Sequence, residues 1–227
     1  MKPLAIAHRG ASGREVENSL AAFRAAKRLG ADAVELDVHS TADGALVVYH
    51  DEMIGRRRIG DMSLVEVRAH KLGNGEPVPT LEATLAALLP DLYAYVEVKT
   101  LEPRWDSVLF ATFDASPAPT RIAVHAFDHR IIHRLGRQRP KLPRGVLLSS
   151  YPMQPVQVLK DADATVLWER WNHIDRSLVD TVHSAGGQVI AWTADEPGDI
   201  RRLLGLGVDG VCSNHPDRVR LAIDSGS

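Results

Sequence analysis

Leu4-Ala5-Ile6-Ala7-His8-Arg9-Gly10, Ala33-Val34-Glu35-Leu36-Asp37-Val38 and Leu46-Val47-Val48-Tyr49-His50-Asp51 decide the reading of this chain. Each is a short apolar run that delivers titratable residues within it or at its end. Successive side chains on a strand face opposite sides, so Glu35 and Asp37 share a face while Leu36 turns away. After the first run, Asn18 and the spacing of Leu20, Phe23 and Ala26 predict a helix over residues 19–29, with Asn18 as its N-cap and Gly30 as its stop.

The same alternation continues to the end of the chain. Further strand-like runs occupy residues 94–98, 121–125, 145–148, 165–168, 188–192 and 207–211, in addition to 4–7, 33–38 and 46–49. Helical patterns follow at 81–89, 105–115, 129–136, 153–160, 175–185, 197–204 and 217–222. Near-continuous apolar strands alternating with amphipathic segments predict an α/β fold with a parallel sheet covered by helices. Eight such units fit a (β/α)8 TIM barrel, with 46–49 as an extra strand joined to the second by the Asp43-Gly44 turn. An open doubly wound sheet is the alternative; it lacks support because no Gly-rich dinucleotide loop follows the first strand.

Residues 52–78 break the rhythm with Gly55, Gly60, Gly73, Gly75, Pro77 and the run Arg56-Arg57-Arg58. They read as a short insertion after the second strand, over the barrel mouth, forming a mobile, solvated rim rather than a second core. On that reading the insertion governs which substrates enter. No linker or composition shift divides the chain, so residues 1–227 are expected to form one domain.

The net charge of −2 points away from nucleic acid and from an anionic membrane surface. No apolar run approaches the roughly eighteen residues of a membrane span, and the apolar stretch before His8 is short for a signal peptide. The single cysteine, Cys212, excludes an internal disulfide and reads as a small buried residue. A cytoplasmic location is the expectation.

A third acidic strand end, Val96-Glu97-Val98-Lys99, completes a constellation. Glu35, Asp37 and Glu97 supply three oxygen ligands without sulfur, a set suited to Mg²⁺ or Ca²⁺; Mn²⁺ and Zn²⁺ fit it less well. His8 and His50, beside these carboxylates, are read as general acid and base, because imidazole titrates near neutral pH. Arg9 and Lys99 provide fixed positive charge for an anionic group. Glu17 is placed behind them, holding Arg9 or a metal-bound water, and Asp51 orients His50 or caps a turn. A metal, two cations and two histidines converging on one point describe phosphate-ester chemistry. Trp168-Glu169-Arg170-Trp171 reads equally as a pocket segment or as a surface loop anchored by its tryptophans. His39, His70, His129, His133, His173, His183 and His215 show no partner spacing and read as surface or loop residues.

The ordered series His8-Arg9-Gly10, Glu17-Asn18-Ser19, Glu35-Leu36-Asp37-Val38, His50-Asp51, Pro79-Thr80-Leu81-Glu82, Glu97-Val98-Lys99, Trp192-Thr193 and Gly207-Val208-Asp209-Gly210-Val211 resembles the glycerophosphodiester phosphodiesterase family nearly end to end. The resemblance implies a TIM barrel and metal-dependent hydrolysis of a glycerophosphodiester to glycerol 3-phosphate and an alcohol. It implies metal ligation by Glu35, Asp37 and Glu97, acid–base catalysis by His8 and His50, phosphate binding by Arg9 and Lys99, and packing of Trp192 on glycerol. The partner it implies is a small molecule, with a homodimer left open. His125-Ala126-Phe127 replaces the family's usual Ser-Phe, a difference expected to bear on the alcohol accepted. Two alternatives stand beside this reading: lyase-type cleavage of choline phospholipids, as in sphingomyelinase D relatives, and a non-catalytic barrel that binds glycerophosphodiesters.

Overall fold

The computed structural model describes residues 2–226. Its strands, in chain order, are β1 (Leu4–His8), β2 (Ala33–Ser40), β3 (Leu46–Val48), β4 (Met53–Ile54), β5 (Arg57–Arg58), β6 (Tyr93–Thr100), β7 (Ile122–Ala126), β8 (Arg144–Leu148), β9 (Val166–Arg170), β10 (Gln188–Trp192) and β11 (Gly210–Ser213). The helices are α1 (Leu20–Arg28), α2 (Leu64–Ala69), α3 (Leu81–Leu88), α4 (Asp106–Asp114), α5 (His129–Gln138), α6 (Pro155–Asp161), α7 (Arg176–Ser184), α8 (Pro197–Leu206) and α9 (Pro216–Ser225).

Eight strands, β1, β2 and β6 to β11, pair in parallel and close on themselves: β1 meets β11 through Leu4↔Gly210 and β2 through His8↔Glu35. This is the (β/α)8 TIM barrel expected from the alternation. β3 adds to β2 antiparallel, with Val38 opposite Val48, as the Asp43-Gly44 turn predicts.

The period of two sorts the strand residues into two layers. Val34, Leu36, Val96, Val124, Leu167, Val189 and Val211 turn outward into the layer shared with the helices. Ile6, Ala33, Leu147, Val166, Trp168, Ile190 and Cys212 turn inward and fill the barrel interior. Toward the C-terminal ends of the same strands the inward positions change character, to His8, Glu35, Asp37, Glu97 and His125. Cys212 is buried, as its strand setting suggested.

Two local readings need correction. Ser19, not Asn18, is the N-cap of α1: its backbone is extended and its hydroxyl accepts from the amide of Ala22. Asn18 adopts a left-handed backbone (φ 54°), which is incompatible with capping, and its side chain is committed elsewhere. The last strand lies at Gly210–Ser213 rather than 207–211, because Gly207 takes the left-handed cap of α8 (φ 87°) and turns the chain first.

The insertion is also more ordered than its glycines suggest. It contains the hairpin β4–β5 and α2, which starts with a capping box between Ser63 and Glu66. Ile59, Met62, Val67, Leu72 and Val78 pack with Val47 of β3 into a cluster of their own. Of the basic run, Arg57 pairs with Glu66 and Arg58 with Glu52, all four exposed. Glycine and arginine content masked an apolar spacing too sparse to register as a helix.

Ile59 is fully buried in that cluster. Ile59→Ala should therefore cost about 2–5 kcal/mol of unfolding free energy in a denaturant titration, the range for a large-to-small core change. A solvated rim would instead give a change within about 0.5 kcal/mol.

Candidate active site

Strand register brings the polar inward residues together at the C-terminal mouth of the barrel. His8 lies beside Glu35, Asp37 beside Glu97, and Glu97 beside His125. His8, Glu35, Glu97 and His125 line one pocket with Arg9, His50, Lys99, Phe127, Trp168 and Trp192, and Asp37 lies behind its wall. Glu35, Asp37 and His125 are each no more than 3% exposed.

The turn after β1 sets the pocket's first wall. Arg9 and Gly10 both have positive φ (54° and 80°), and a Cβ on Gly10 would sit 2.7 Å from the Ala22 carbonyl carbon of α1. Only glycine fits there without strain. The turn aims the Arg9 amide at Glu35 Oε2, 3.1 Å away. Asn18 braces the same turn, its amide donating to the Arg9 carbonyl and its side chain to Asp37 Oδ2 at 2.8 Å.

The cations are shared among the carboxylates. Arg9 Nη1 donates to both oxygens of Glu17, at 3.0 and 2.9 Å, and its Nε lies 3.1 Å from Asp37 Oδ2. Lys99 Nζ donates to Glu97 at 2.8 Å and stands 3.4 Å from Asp37 Oδ1. Burial raises the Asp37 carboxyl, but Lys99, Arg9 and the Asn18 bond outweigh it and hold the group below its ordinary value. Glu35 shows the opposite balance: burial, then Asp37 and Glu97, push its carboxyl well above the usual range. Burial and Asp37 likewise lift Glu97 to about 7, against the pull of Lys99.

Glu35, Glu97 and His125 offer ligand atoms that lie within 4.8 Å of one another. Asp37 stands next to this group but is the carboxylate that Arg9, Asn18 and Lys99 engage. His125 is stacked on Trp168, with ring centroids 4.2 Å apart and planes at 7°, and burial drops its imidazole to about 3, so the ring is neutral. The sequence marks His125 only as part of His125-Ala126-Phe127, in place of a Ser-Phe pair. Its place follows from parallel register with Glu97, which a single sequence shows only once the strands are aligned.

Each of the two predicted acid–base residues has one ring nitrogen tied down. Asn214 directs its side-chain amide Nδ2 at Asp195 (2.6 Å), so its Oδ1 faces His8 Nδ1 at 2.8 Å and accepts the proton there. His8 Nε2 is left free toward the pocket, 4.0 Å from Glu35 Oε2. Burial and Arg9 lower the His8 pKa, against Asn214. His50 Nδ1 is held by Asp51 at 2.8 Å, which frees its Nε2 in the same way. Trp192 packs edge-on against Phe127, ring centroids 5.5 Å apart. Of the segment 168–171, Trp168 lines the pocket, while Glu169 is fully buried and accepts from the Arg170 amide.

Several of the histidines read as surface residues are engaged by neighbours, His173 with Glu169 and His70 edge-on to Tyr49 among them. His39 is 1% exposed and bonded through both ring nitrogens, His129 bonds the Leu147 carbonyl, and His183 pairs with Asp209. Among the described residues no helix is long and apolar enough to cross a membrane.

The model of the glycerophosphoryl diester phosphodiesterase family matches residues 8–218. A glycerophosphodiester phosphodiesterase of Caldanaerobacter subterraneus subsp. tengcongensis is 31% identical, with 96% of each chain covered. A phosphodiesterase of Oleispira antarctica, solved in complex with the product sn-glycerol-3-phosphate, superposes with a TM-score of 0.90 at 26% identity, covering 98% of this chain and 97% of the other. A glycerophosphodiester phosphodiesterase of Parabacteroides distasonis gives the same TM-score at 25% identity, covering 99% and 98%. Barrel, pocket and near-full-length match agree: the chain belongs to the glycerophosphoryl diester phosphodiesterase family.

Proposed function

We propose that this protein hydrolyses glycerophosphodiesters to glycerol 3-phosphate and an alcohol, with a divalent cation and two histidines at the pocket described above. The observation that carries the reading is the pairing of two imidazoles, each with its Nε2 free, with a buried carboxylate group that lacks enough positive charge of its own.

The charge balance supports a metal. Glu35, Asp37 and Glu97 face only Arg9 and Lys99 as fixed cations, and Glu35 Oε1, Asp37 Oδ1 and both nitrogens of His125 are buried without a hydrogen-bond partner. Such orphaned acceptors are costly unless an ion or a proton occupies them. Glu35, Asp37 and Glu97 would hold the cation, with His125 alongside Glu35 and Glu97. The all-oxygen core of this set favours Mg²⁺ or Ca²⁺. Bound there, a divalent cation would offset charge on the non-bridging phosphate oxygens. Its two charges would offset the excess of Glu17, Glu35, Asp37 and Glu97 over Arg9 and Lys99.

The chain's own residues account for the proton movements. Arg9 and Lys99 draw the phosphate toward the carboxylate end of the pocket. One neutral imidazole takes a proton at Nε2 from the attacking water as the water oxygen bonds to phosphorus; the other, as imidazolium, donates its Nε2 proton to the oxygen of the departing alcohol as that P–O bond breaks. Asn214 and Asp51 keep each ring in the tautomer this exchange needs. Trp192 and Phe127 offer an apolar wall for the glycerol carbons. A free, buried Cys212 suits a reducing compartment, and the reading includes a cytoplasmic setting.

A coupled assay for glycerol 3-phosphate, run on a panel of glycerophosphodiesters, tests this directly. Release should occur for at least one substrate, stop with EDTA, and return on adding Mg²⁺ or Ca²⁺. No release from any member of the panel would overturn the reading and favour the binding-barrel alternative. A cyclic phosphate product in place of glycerol 3-phosphate would favour the lyase.

His8→Ala and His50→Ala should each lower kcat by about 10²–10⁴-fold while leaving the thermal midpoint nearly unchanged. Near-normal turnover in either variant would make that histidine structural.

The metal can be read without activity. Adding the cation at a hundred times its Kd should stabilise the wild type by about 2.7 kcal/mol, and Glu97→Gln should lose most of that gain. Equal stabilisation of both would place the ion elsewhere.

A further inference from the structure

His39 is the one buried histidine near the mouth that the chemistry above leaves unused. It sits at 1% exposure on β2, two residues beyond Asp37. Its Nε2 lies 3.2 Å from the backbone carbonyl of His50, and its Nδ1 2.8 Å from the hydroxyl of Thr100 on β6. A carbonyl only accepts, so Nε2 carries the proton and Nδ1 receives the Thr100 O–H. Both ring nitrogens are thereby used, and the ring ties together β2, β6 and the segment after β3.

The sheet is irregular here. Val38 pairs with Val98, but His39 pairs with Thr100, so Lys99 is an extra residue on β6. A bulge of this kind re-aims side chains, commonly beside a reactive centre. Here it lets Lys99 reach Glu97 and Asp37 while Thr100 comes opposite His39.

The His50 ring has little other restraint. Its side-chain partner Asp51 is 68% exposed, so that bond selects which ring nitrogen carries the proton but restrains the position of the ring only weakly. The His39 contact is better shielded, His39 being 1% exposed, and it acts on the backbone from which the His50 side chain departs, beside the bond of the Tyr49 amide to the Asp37 carbonyl.

We propose that His39 is a positioning residue, which sets where His50 enters the pocket through the Nε2–H bond to the His50 carbonyl, with Thr100 fixing the tautomer. The inference rests on the proposed role of His50. It requires that the bond, rather than the bulk of the imidazole, controls turnover. Misplacement of a reacting group by about 1 Å can cost on the order of a hundredfold in rate.

The test compares His39→Leu, His39→Gln and Thr100→Val with the wild type in the metal-loaded glycerol 3-phosphate assay. Amide hydrogen exchange over residues 49–51 is measured on the same proteins. His39→Leu should lower kcat by about ten- to a hundredfold with KM changed less than about threefold, and exchange over residues 49–51 should quicken. His39→Gln, whose amide can donate to the same carbonyl, should recover most of the rate and the protection. Thr100→Val should show a smaller loss in the same direction, and it carries the test if His39→Leu does not fold. Wild-type kcat and exchange in His39→Leu would overturn the proposal, as would a Gln variant as impaired as Leu. If the wild type itself releases no product, the reading of function fails; the exchange comparison then still decides whether His39 holds the His50 backbone.

Discussion

Repulsion among carboxylates is the constraint around which the mouth of this barrel is organised. Glu35, Asp37 and Glu97 are buried on adjacent strands, where a low dielectric strengthens every charge–charge term. Their neighbours divide that burden unevenly. Arg9, Asn18 and Lys99 keep Asp37 ionised, while Glu35 and Glu97 bind protons more readily than free carboxyls do. The pattern is one of a site whose electrostatics are incomplete until further positive charge arrives. A positive-φ arginine, a buried asparagine and a bulged lysine are all arranged about the same few oxygens. Such departures from regular geometry persist because the surrounding structure enforces them.

The outer layer supplies the enforcement. Strand residues facing the helices form a largely apolar layer, with Arg144 of β8, buried against Gly136 of α5, as an ionisable exception. Function and folding are separated by strand parity: odd and even positions of the same strand serve different ends. This separation is why a hostile cluster of charges can be tolerated in so small a volume.

Much of this was legible in the sequence, and the rest was hidden for identifiable reasons. Period two along 33–38 placed Glu35 and Asp37 on one face, and the structure keeps them there. The eight strand–helix units appeared as alternating apolar runs, with boundaries shifted by a few residues where a cap such as Ser19 or Gly207 intervened. Pair relations were invisible, because register between distant strands leaves no mark on either one alone. His125 therefore went unrecognised beside Glu97, and His39 passed for a surface residue although Thr100 and His50 consume both its nitrogens. The insertion misled for a different reason: its composition is that of a loop, while its few apolar residues are spaced to meet Val47.

Asn214 lies 206 positions from His8 in the chain, yet it settles which nitrogen of that ring bears the proton. The strand that delivers it, β11, is also the one that closes the barrel against β1. A ribosome making this protein releases His8 206 residues before Asn214. Throughout that interval the ring has no partner to choose its tautomer, and β1 has an open edge. Chemical competence is thus acquired only once β11 has been made, in the same event that seals the barrel, and a chain cut before β11 forfeits both together.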